Sequence, residues 1–250
     1  MCTVTYVPRS GGGFYLNSNR DESPSRAAEG LVQIMPNGKK IVFPKDRGAG
    51  GTWIAANADG MVLCLLNGAF ERHERNPPYR MSRGIVLLEL LETPDIPRSF
   101  SEYNLEGIEP FTLVLAGCPA LWDLRWDGDQ RHIRPLNGEE SHIWSSATLY
   151  DAGVRSRREK WFRAWEQADK ATDLEKMLTF HLYAGEGDPR NDVVMNRDGL
   201  VQTISVTSIV HLGQQMEMHY FDLLTQKKER AQIELNRELV EPGATPSFLD

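Results

Sequence analysis

The second residue of the chain is a cysteine, and this position gives it a particular chemistry. A small residue after the initiator methionine generally permits removal of that methionine, which would leave Cys2 at the amino terminus. Such a residue carries a nucleophilic thiol and a free α-amine, whose ordinary pKa of roughly 7.7–8.0 suits it to accept the thiol proton. A free cysteine is more often a small buried hydrophobe, so both interpretations stay open at this point.

A second candidate group is the polar run Asn19-Arg20-Asp21-Glu22, which follows an apolar strand pattern. The hairpin predicted before it would fold Arg20 and Asp21 back beside Cys2. There the guanidinium would favour the thiolate, and the aspartate would accept hydrogen bonds from the ammonium. The alternative is a solvated strand end. Asn-Arg-Asp recurs at 196–198 before Gly199, where an ordinary turn is expected, so the tripeptide alone is weak evidence.

The composition excludes several functional classes. With 28 basic and 35 acidic side chains, the 250-residue chain has a net charge of −7, whereas nucleic acids and anionic membranes attract basic faces. Three widely spaced cysteines form neither a disulfide framework nor a metal pattern, which favours a reducing, cytoplasmic compartment. No targeting segment is expected at the start, and the apolar runs are far shorter than the roughly 20 residues that span a bilayer. We expect no nucleic-acid partner and no stable membrane insertion.

The apolar pattern predicts many short strands and few helices. The strands are expected over 3–7, 14–17, 41–43, 52–56, 61–66, 111–116, 120–126, 132–135, 200–210, 216–223 and 231–235. The helices are expected near 81–91, from about 156, and over 173–183. Hairpin-linked strands with segregated helices indicate an α+β fold with antiparallel sheets. One domain over 1–240 and a loose tail over 241–250 are expected.

Local signals refine the helix boundaries. Pro94 and Pro97 are expected to end the first helix, because proline removes a backbone donor. Ser156 and Glu159 fit a capping box at the start of the second. The basic residues Arg155, Arg157 and Arg158 near that start are expected to be solvated.

Other candidate sites are weaker. The six histidines show no metal-ligand spacing, so no metal site is expected. The run Gly48-Ala49-Gly50-Gly51 is not followed by the Lys-Ser/Thr of a phosphate loop. Cys64 lies in an apolar run and is expected in the core. The sequence gives no reason to expect a cofactor.

The chain resembles a known family in four elements taken in order. These are Met-Cys at the start, Asn19-Arg20-Asp21-Glu22, Gly51-Thr52-Trp53, and Leu66-Asn67. Together they are similar to the NRDE family, also called the Transport and Golgi organisation 2 family, over most of the chain and most strongly over 1–70. That family resembles the N-terminal nucleophile (Ntn) hydrolases, near bile-salt hydrolases and penicillin V acylases. The resemblance implies a four-layer αββα sandwich and amidase-type chemistry on C–N bonds.

The resemblance also implies roles for individual residues. Cys2 matches the nucleophile, Arg20 and Asp21 the charged pair beside it, and Asn67 an amide that helps bind the oxyanion. The candidate substrate-binding residues are Asn19, Trp53, Ser146 and Ile204. The alternative for Asn67 is a turn residue, since Asn-Gly is a favoured turn dipeptide.

Two of these positions depart from the hydrolase pattern. Ser146 stands where such hydrolases usually carry a second asparagine, and Ile204 where they usually carry a late-strand arginine. The loss of a cation at Ile204 predicts that carboxylate-bearing substrates bind poorly in this pocket, because a buried unpaired carboxylate is costly.

Three functions follow from this resemblance. The first is hydrolysis of a small-molecule amide by Cys2. The second, which the two departures favour, is binding or trafficking of a lipid-like, acyl or haem-like ligand in the same pocket without turnover. The third is a fold-only relative that acts through a surface partner. The sequence leaves the substrate and the oligomeric state open.

Overall fold

The computed structural model describes residues 2–168 and 173–236, and for Cys2 it describes the backbone alone. The tail expected over 241–250 lies outside these residues. The strands are β1 Cys2–Pro8, β2 Phe14–Glu22, β3 Ala28–Ile34, β4 Ile41–Asp46, β5 Ile54–Asn57, β6 Val62–Asn67, β7 Phe111–Ala116, β8 Leu121–Trp126, β9 Arg131–Pro135, β10 His142–Ser145, β11 Asn196–Arg197, β12 Val201–His211, β13 Gln215–Asp222 and β14 Lys228–Glu234. The helices are α1 Arg83–Leu91, α2 Ile96–Glu102, α3 Ala152–Ala168 and α4 Leu174–Tyr183.

The strands form two sheets that pack face to face. The first sheet has the order β10-β1-β2-β12-β13-β14, with β11 paired to β12, and the second runs from β3 to β9 in chain order. Every pairing among the described strands is antiparallel. Helices α1 and α2 cover the outer face of the second sheet, and α3 and α4 cover that of the first. The architecture is the four-layer αββα sandwich that the resemblance implied.

The alternation of side chains along each strand fills the layers between sheets and helices. On β2, Leu16 packs between the two sheets against Val4. Its neighbour Tyr15 faces the other way and packs against Phe162 of α3 and Phe180 of α4. Full burial of such a side chain contributes roughly 1.5–3 kcal/mol, so a shift of β2 by one residue would exchange two apolar faces and is strongly disfavoured.

The predicted strands are confirmed, and several are longer than the pattern indicated. The sequence analysis missed β3, β10 and β11. Strand β3 is mostly half-exposed, so it lacks a clear apolar alternation. Strands β10 and β11 have only four and two residues, and such short strands carry too few positions for a periodic signal.

The first helix ends at Leu91, before Pro94 and Pro97 as expected, but the sequence analysis missed the helix that follows. Helix α2 contains Pro97 within its first turn, where a missing N–H needs no partner. Asp95 caps this helix by accepting a hydrogen bond from the Arg98 amide at 3.1 Å. The two prolines therefore separate α1 from a second helix.

The predicted start of α3 was also wrong. The helix begins at Ala152, so Ser156 and Glu159 lie inside it and are exposed. Asp151 supplies the cap instead, because its carboxylate accepts the Val154 amide hydrogen bond at 2.9 Å. Arg158 lies on the buried face of this helix with 0% exposure. The expectation that it is solvated was therefore wrong.

Candidate functional site

The register of the first hairpin brings the two sequence candidates together at one end of the first sheet. In the β1–β2 ladder the backbone of Cys2 pairs with Arg20, and that of Thr3 pairs with Asn19. The polar run 19–22 is the last part of β2 and not a solvated strand end, since Asn19, Arg20 and Asp21 are 0%, 2% and 0% exposed. Cys2 and Arg20 are therefore cross-strand neighbours.

Arg20 lies between the two sheets. Its guanidinium forms a buried ion pair with Asp46 of β4 and donates to the Arg26 carbonyl at 2.7 Å. It also stacks over the Trp53 ring, 4.0 Å from the ring centroid. Since Asp46 also pairs with Arg26 at 2.7 Å, one carboxylate holds two guanidinium groups and fixes the position of Arg20.

Asp21 faces the opposite side of the same sheet, toward the helices. Its carboxylate is fully buried and accepts hydrogen bonds from the hydroxyls of Tyr150 and Thr203, each at 2.6 Å. Burial raises the pKa of Asp21, while the charge of Arg158 and the two hydroxyl hydrogen bonds act against that rise. The side chain is thus a buried acceptor with fixed donors.

The buried charge of Arg158 acts most strongly against the rise in the pKa of Asp21. The sequence analysis did not identify this residue. It donates to the Thr3 hydroxyl and to the carbonyls of Asn191 and Asp192, the last at 2.6 Å. Its guanidinium also stacks on the Tyr150 ring at 3.7 Å. The signal available in the sequence was its spacing of four residues from both Val154 and Phe162, the apolar positions of α3.

Asn19 shares the helix-facing side with Asp21 and anchors α4. Its amide donates to the His181 carbonyl at 2.8 Å and hydrogen-bonds the His181 ring through Nδ1. The other ring nitrogen, Nε2, contacts the Thr5 hydroxyl at 2.7 Å. Burial, and then the charge of Arg158, lower the pKa of His181 to about 3, so the ring is neutral at pH 7. Asn19 ties the sheet to α4 and lies away from Arg20.

Asn67 ends β6 on the second sheet and lines the cavities beside Arg20. Its carbonyl accepts a hydrogen bond from the Ser146 hydroxyl at 2.9 Å. Its side-chain amide makes no hydrogen bond to any residue that the structure describes, and it lines two neighbouring cavities of about 70 and 710 Å³. The following Gly68 has φ of 79°, which agrees with the turn interpretation for the backbone. The Asn67 side-chain amide can still donate to a ligand.

The segment Gly51-Thr52-Trp53 forms another wall of the smaller cavity. A side chain at Gly51 would approach the Gly84 carbonyl carbon to 2.7 Å, so the loop and the start of α1 touch through their backbones. Trp53 is 4% exposed, and its indole N–H has no hydrogen-bond partner among the described residues. An indole N–H can only donate, so this wall presents an unused donor to the cavity.

The other two substrate-binding candidates lie apart from these walls. The residues that line the smaller cavity include Arg20, Trp53 and Asn67. Neither cavity is lined by Ser146 or Ile204. Ser146 is buried with its hydroxyl engaged by Asn67. Ile204 is 1% exposed at a register shift of β12 between residues 203 and 205, and its carbonyl accepts from the Leu223 amide at 2.9 Å. Both roles stay predictions.

Two further sequence expectations concern metals and membranes. Over residues 2–168 and 173–236, no group of three or more His, Cys, Asp or Glu side chains is arranged to hold a metal ion. None of the helices in those ranges has the length and apolar content that crossing a bilayer requires. Cys64 is fully buried, which confirms its expected place in the core.

The fold is similar to solved structures of amide hydrolases. Two variants of the conjugated bile acid hydrolase from Clostridium perfringens match with TM-scores of 0.58 and 0.56 at 11% and 10% identity. These matches cover 95% and 98% of this chain and 98% and 100% of theirs. An N-acylethanolamine-hydrolyzing acid amidase ortholog from Caenorhabditis elegans matches at 0.47 and 13% identity, over 84% of this chain and 92% of its own. The two bile acid hydrolase matches show that the fold is of the Ntn-hydrolase type.

A comparison with curated protein sequences found no significant match. The family model described as Transport and Golgi organisation 2 matches residues 1–181. This span holds both parts of the site, the end of the β1–β2 hairpin and the Asn67 cavity wall. The chain belongs to the Transport and Golgi organisation 2 family.

Proposed function

We propose that this protein is an N-terminal cysteine hydrolase that cleaves a C–N bond of a small-molecule amide, with Cys2 as nucleophile. The observation that carries the proposal is the backbone pairing of Cys2 with Arg20 at the end of the first hairpin. Arg20, the cross-strand partner of Cys2, and Asn67 of the second sheet line one cavity, so a cation and an unengaged amide meet there. As part of the same proposal the compartment is the cytoplasm, since the cysteine pattern favours a reducing setting.

In the proposed reaction the Cys2 thiolate attacks the amide carbonyl carbon, and the thiol proton passes to the α-amine. The Asn67 amide donates to the resulting oxyanion; loss of one such donor costs about 3 kcal/mol of barrier in other enzymes. The α-ammonium of Cys2 then gives this proton to the leaving amine as the C–N bond breaks. The α-amine next takes a proton from a water molecule, which attacks the thioester, releasing the acid and restoring the thiol.

Arg20 and Asp21 have separate roles in this proposal because they face opposite sides of the sheet. The Arg20 guanidinium favours the thiolate by its charge. Asp21 accepts hydrogen bonds from the α-ammonium, with Tyr150 and Thr203 holding its carboxylate in place. Arg158 partly compensates the buried negative charge, so it supports Asp21 without touching the substrate.

The proposal requires a free α-amine at Cys2, which intact mass measures directly. The mass should be lower than that of the full translation by one methionine. Iodoacetamide should label Cys2 faster than Cys118, an exposed thiol whose pKa is raised by partial burial. Arg20→Ala should slow labelling of Cys2 at neutral pH, because it removes the cation that favours the thiolate.

Hydrolysis is then measured on a panel of small amides. Cys2→Ser should weaken turnover strongly, and Cys2→Ala should abolish it while the circular dichroism spectrum stays unchanged. A native protein that keeps Met1, or a Cys2→Ala variant that retains full turnover, would contradict the enzyme proposal.

A binding protein for a lipid-like, acyl or haem-like ligand is the alternative, and one observation favours it. The Ser146 hydroxyl donates to the Asn67 carbonyl, so it does not replace the asparagine donor that hydrolases usually have at that position. On this alternative, a ligand that binds the cavity should bind the native protein and Cys2→Ala equally and remain chemically unchanged.

A further inference from the structure

The larger cavity beside Asn67 is lined by arginines from three separate parts of the chain. We call this group the arginine mouth; it consists of Arg26, Arg72, Arg75 and Arg83. The same cavity has three glutamates, Glu22, Glu74 and Glu109. The four positive and three negative charges leave an excess of one positive charge, whereas the whole chain carries −7. The lining of this opening is therefore slightly positive, although the whole chain is negative.

Two members of the arginine mouth are held by ion pairs that fix the wall. Arg83 pairs with Glu109 at 3.0 Å and donates to the Pro110 carbonyl at 3.0 Å. Arg26 pairs with Glu22 and with Asp46. These two guanidinium groups have their charge compensated within the protein and act as the frame of the opening.

The other two members are exposed, and the fold compensates their charge less completely. Arg75 is 74% exposed and reaches Glu109 through Nε alone at 3.4 Å. Its terminal amino groups make no hydrogen bond to any described residue. Arg72 is exposed and has no ion-pair partner in the part of the chain that the structure describes. Both lie on the irregular segment between β6 and α1, where an uncompensated guanidinium can bind an anion through two parallel hydrogen bonds.

The groups deeper in the site also favour hydrogen-bond acceptors. The smaller cavity shares Glu22, Arg26, Asn67 and Arg83 with the larger one, so the two adjoin. At its wall the buried Trp53 indole N–H has no partner among the described residues, and the amino-terminal residues of α1 present the positive end of a helix. A ligand that reaches from the mouth to Trp53 therefore passes the donors of Arg72, Arg75 and Asn67 as well as the carboxylates that hold Arg26 and Arg83.

We propose that the substrate of this site carries an anionic group, a phosphate or a carboxylate, that binds Arg72 and Arg75 while its acyl-amide portion reaches Asn67. This inference rests on the proposed function, because it uses the same cavity. Arg72 and Arg75 line the larger cavity whereas Ile204 lines neither cavity, so this proposal reverses the expectation that carboxylate-bearing substrates bind poorly.

The test uses three amides with the same acyl chain and the same two-carbon linker that differ in the terminal group. They are the N-hexanoyl derivatives of phosphoethanolamine, β-alanine and ethanolamine, which end in a phosphate, a carboxylate and a neutral hydroxyl. Binding is measured by calorimetry on Cys2→Ala, and turnover is measured on the native protein. We expect the charged amides to bind about tenfold more tightly than the neutral one at low salt, with the preference falling as salt screens the charges. The tighter of the two charged amides identifies the anion.

The variant Arg72→Gln/Arg75→Gln should remove this preference without changing binding of the neutral amide. The matched control is Arg98→Gln, which removes an equally exposed arginine of α2 in an ion pair with Glu102. Equal binding of all three amides, no binding of any, or a preference that survives in the double variant would overturn the inference. Anion preference without turnover would contradict only the enzyme proposal, and turnover without anion preference would contradict only the anionic substrate.

Discussion

The tripeptide Asn-Arg-Asp occurs twice in one sheet of this protein, in two opposite environments. At 19–21 it lies in β2, which is paired on both sides by β1 and β12, and all three side chains are buried. At 196–198 it forms the short edge strand β11 and the start of a turn, where Asp198 and Gly199 have positive φ and the Leu200 amide donates to the Arg197 carbonyl. That turn matches the expectation from Asp-Gly.

The comparison shows that the position of the tripeptide in the sheet, and not its sequence, determines the environment of its side chains. A central strand sends alternate side chains into two different layers, so Arg20 meets Asp46 between the sheets while Asp21 meets Tyr150 under the helices. An edge strand leaves the same groups in water. Asp198 forms an exposed pair with Arg190, with side chains 69% and 54% exposed, and such pairs contribute about 0–1 kcal/mol.

The largest expected contrast is between Arg20→Ala and Arg197→Ala. Arg20→Ala leaves the buried Asp46 carboxylate with Arg26 as its remaining pair, and breaking a buried ion pair costs about 3–5 kcal/mol. We expect a loss near the lower limit because that pair remains. Arg197 donates to two carbonyls and to Asn191, so its loss should cost about 1 kcal/mol. Urea unfolding measures both, and equal losses would contradict the comparison.

The second contrast is between Asp21→Ala and Asp198→Ala. Removal of the Asp21 carboxylate leaves the hydroxyls of Tyr150 and Thr203 without their acceptor in a buried setting, which should cost about 2 kcal/mol. Asp198→Ala should change the free energy of unfolding by less than about 0.5 kcal/mol, because its ion pair is solvated. A stable Asp21→Ala variant would mean that water replaces the carboxylate. The measurement is again the urea midpoint at constant m-value.

The third contrast concerns pH, because only the buried tripeptide is tied to a histidine. His181, which Asn19 holds, has its pKa lowered to about 3, whereas the unfolded chain takes up this proton near pH 6.5. Below pH 6.5 the unfolded state binds the additional proton, so the free energy of unfolding should fall by about 1.4 kcal/mol per pH unit from this group. The loss continues until the folded ring protonates near pH 3.

His211 gives this prediction its internal control. Burial, and then the charge of Arg9, lower its pKa to about 4, so it should contribute a second slope of similar size between pH 6 and 5. His181→Gln and His211→Gln should each remove about half of the measured slope. A slope that is unchanged in His181→Gln would show that the His181 ring has the same pKa in the folded and unfolded states.

Much of the fold follows from the sequence because the sheets are built from local hairpins. Phe111–Ala116 is apolar except for Thr112 and buried at every position, so its prediction needed no tertiary information. The Asp-Gly turn at 59–60 likewise determines its hairpin through Gly60, whose φ is 82°. Such signals depend on neighbours in the chain, which is why they can be read directly.

The parts of the site that were missed depend on contacts distant in sequence. Arg158 is buried because Thr3, 155 residues earlier, and the carbonyls of 191 and 192 complete its hydrogen bonds. An arginine in a basic run is otherwise expected in water. The acceptors that offset its desolvation come from two distant segments, and no local pattern indicates that they meet. Similarly, no local pattern indicates that Arg72 and Arg75 line the same cavity as Asn67.

The backbone contact between Gly51 and Gly84 has a consequence for how this chain can change over generations. At each position the nearest atoms to an added methyl group are main-chain atoms of the other segment, at 2.7 Å from Gly51 and 2.4 Å from Gly84. A neighbouring side chain can rotate away from a new atom, but a backbone cannot do so without moving its strand or helix. No compensating substitution nearby can therefore rescue a larger residue at either glycine, and the two positions should be inherited unchanged as a pair wherever α1 keeps its place at the cavity wall.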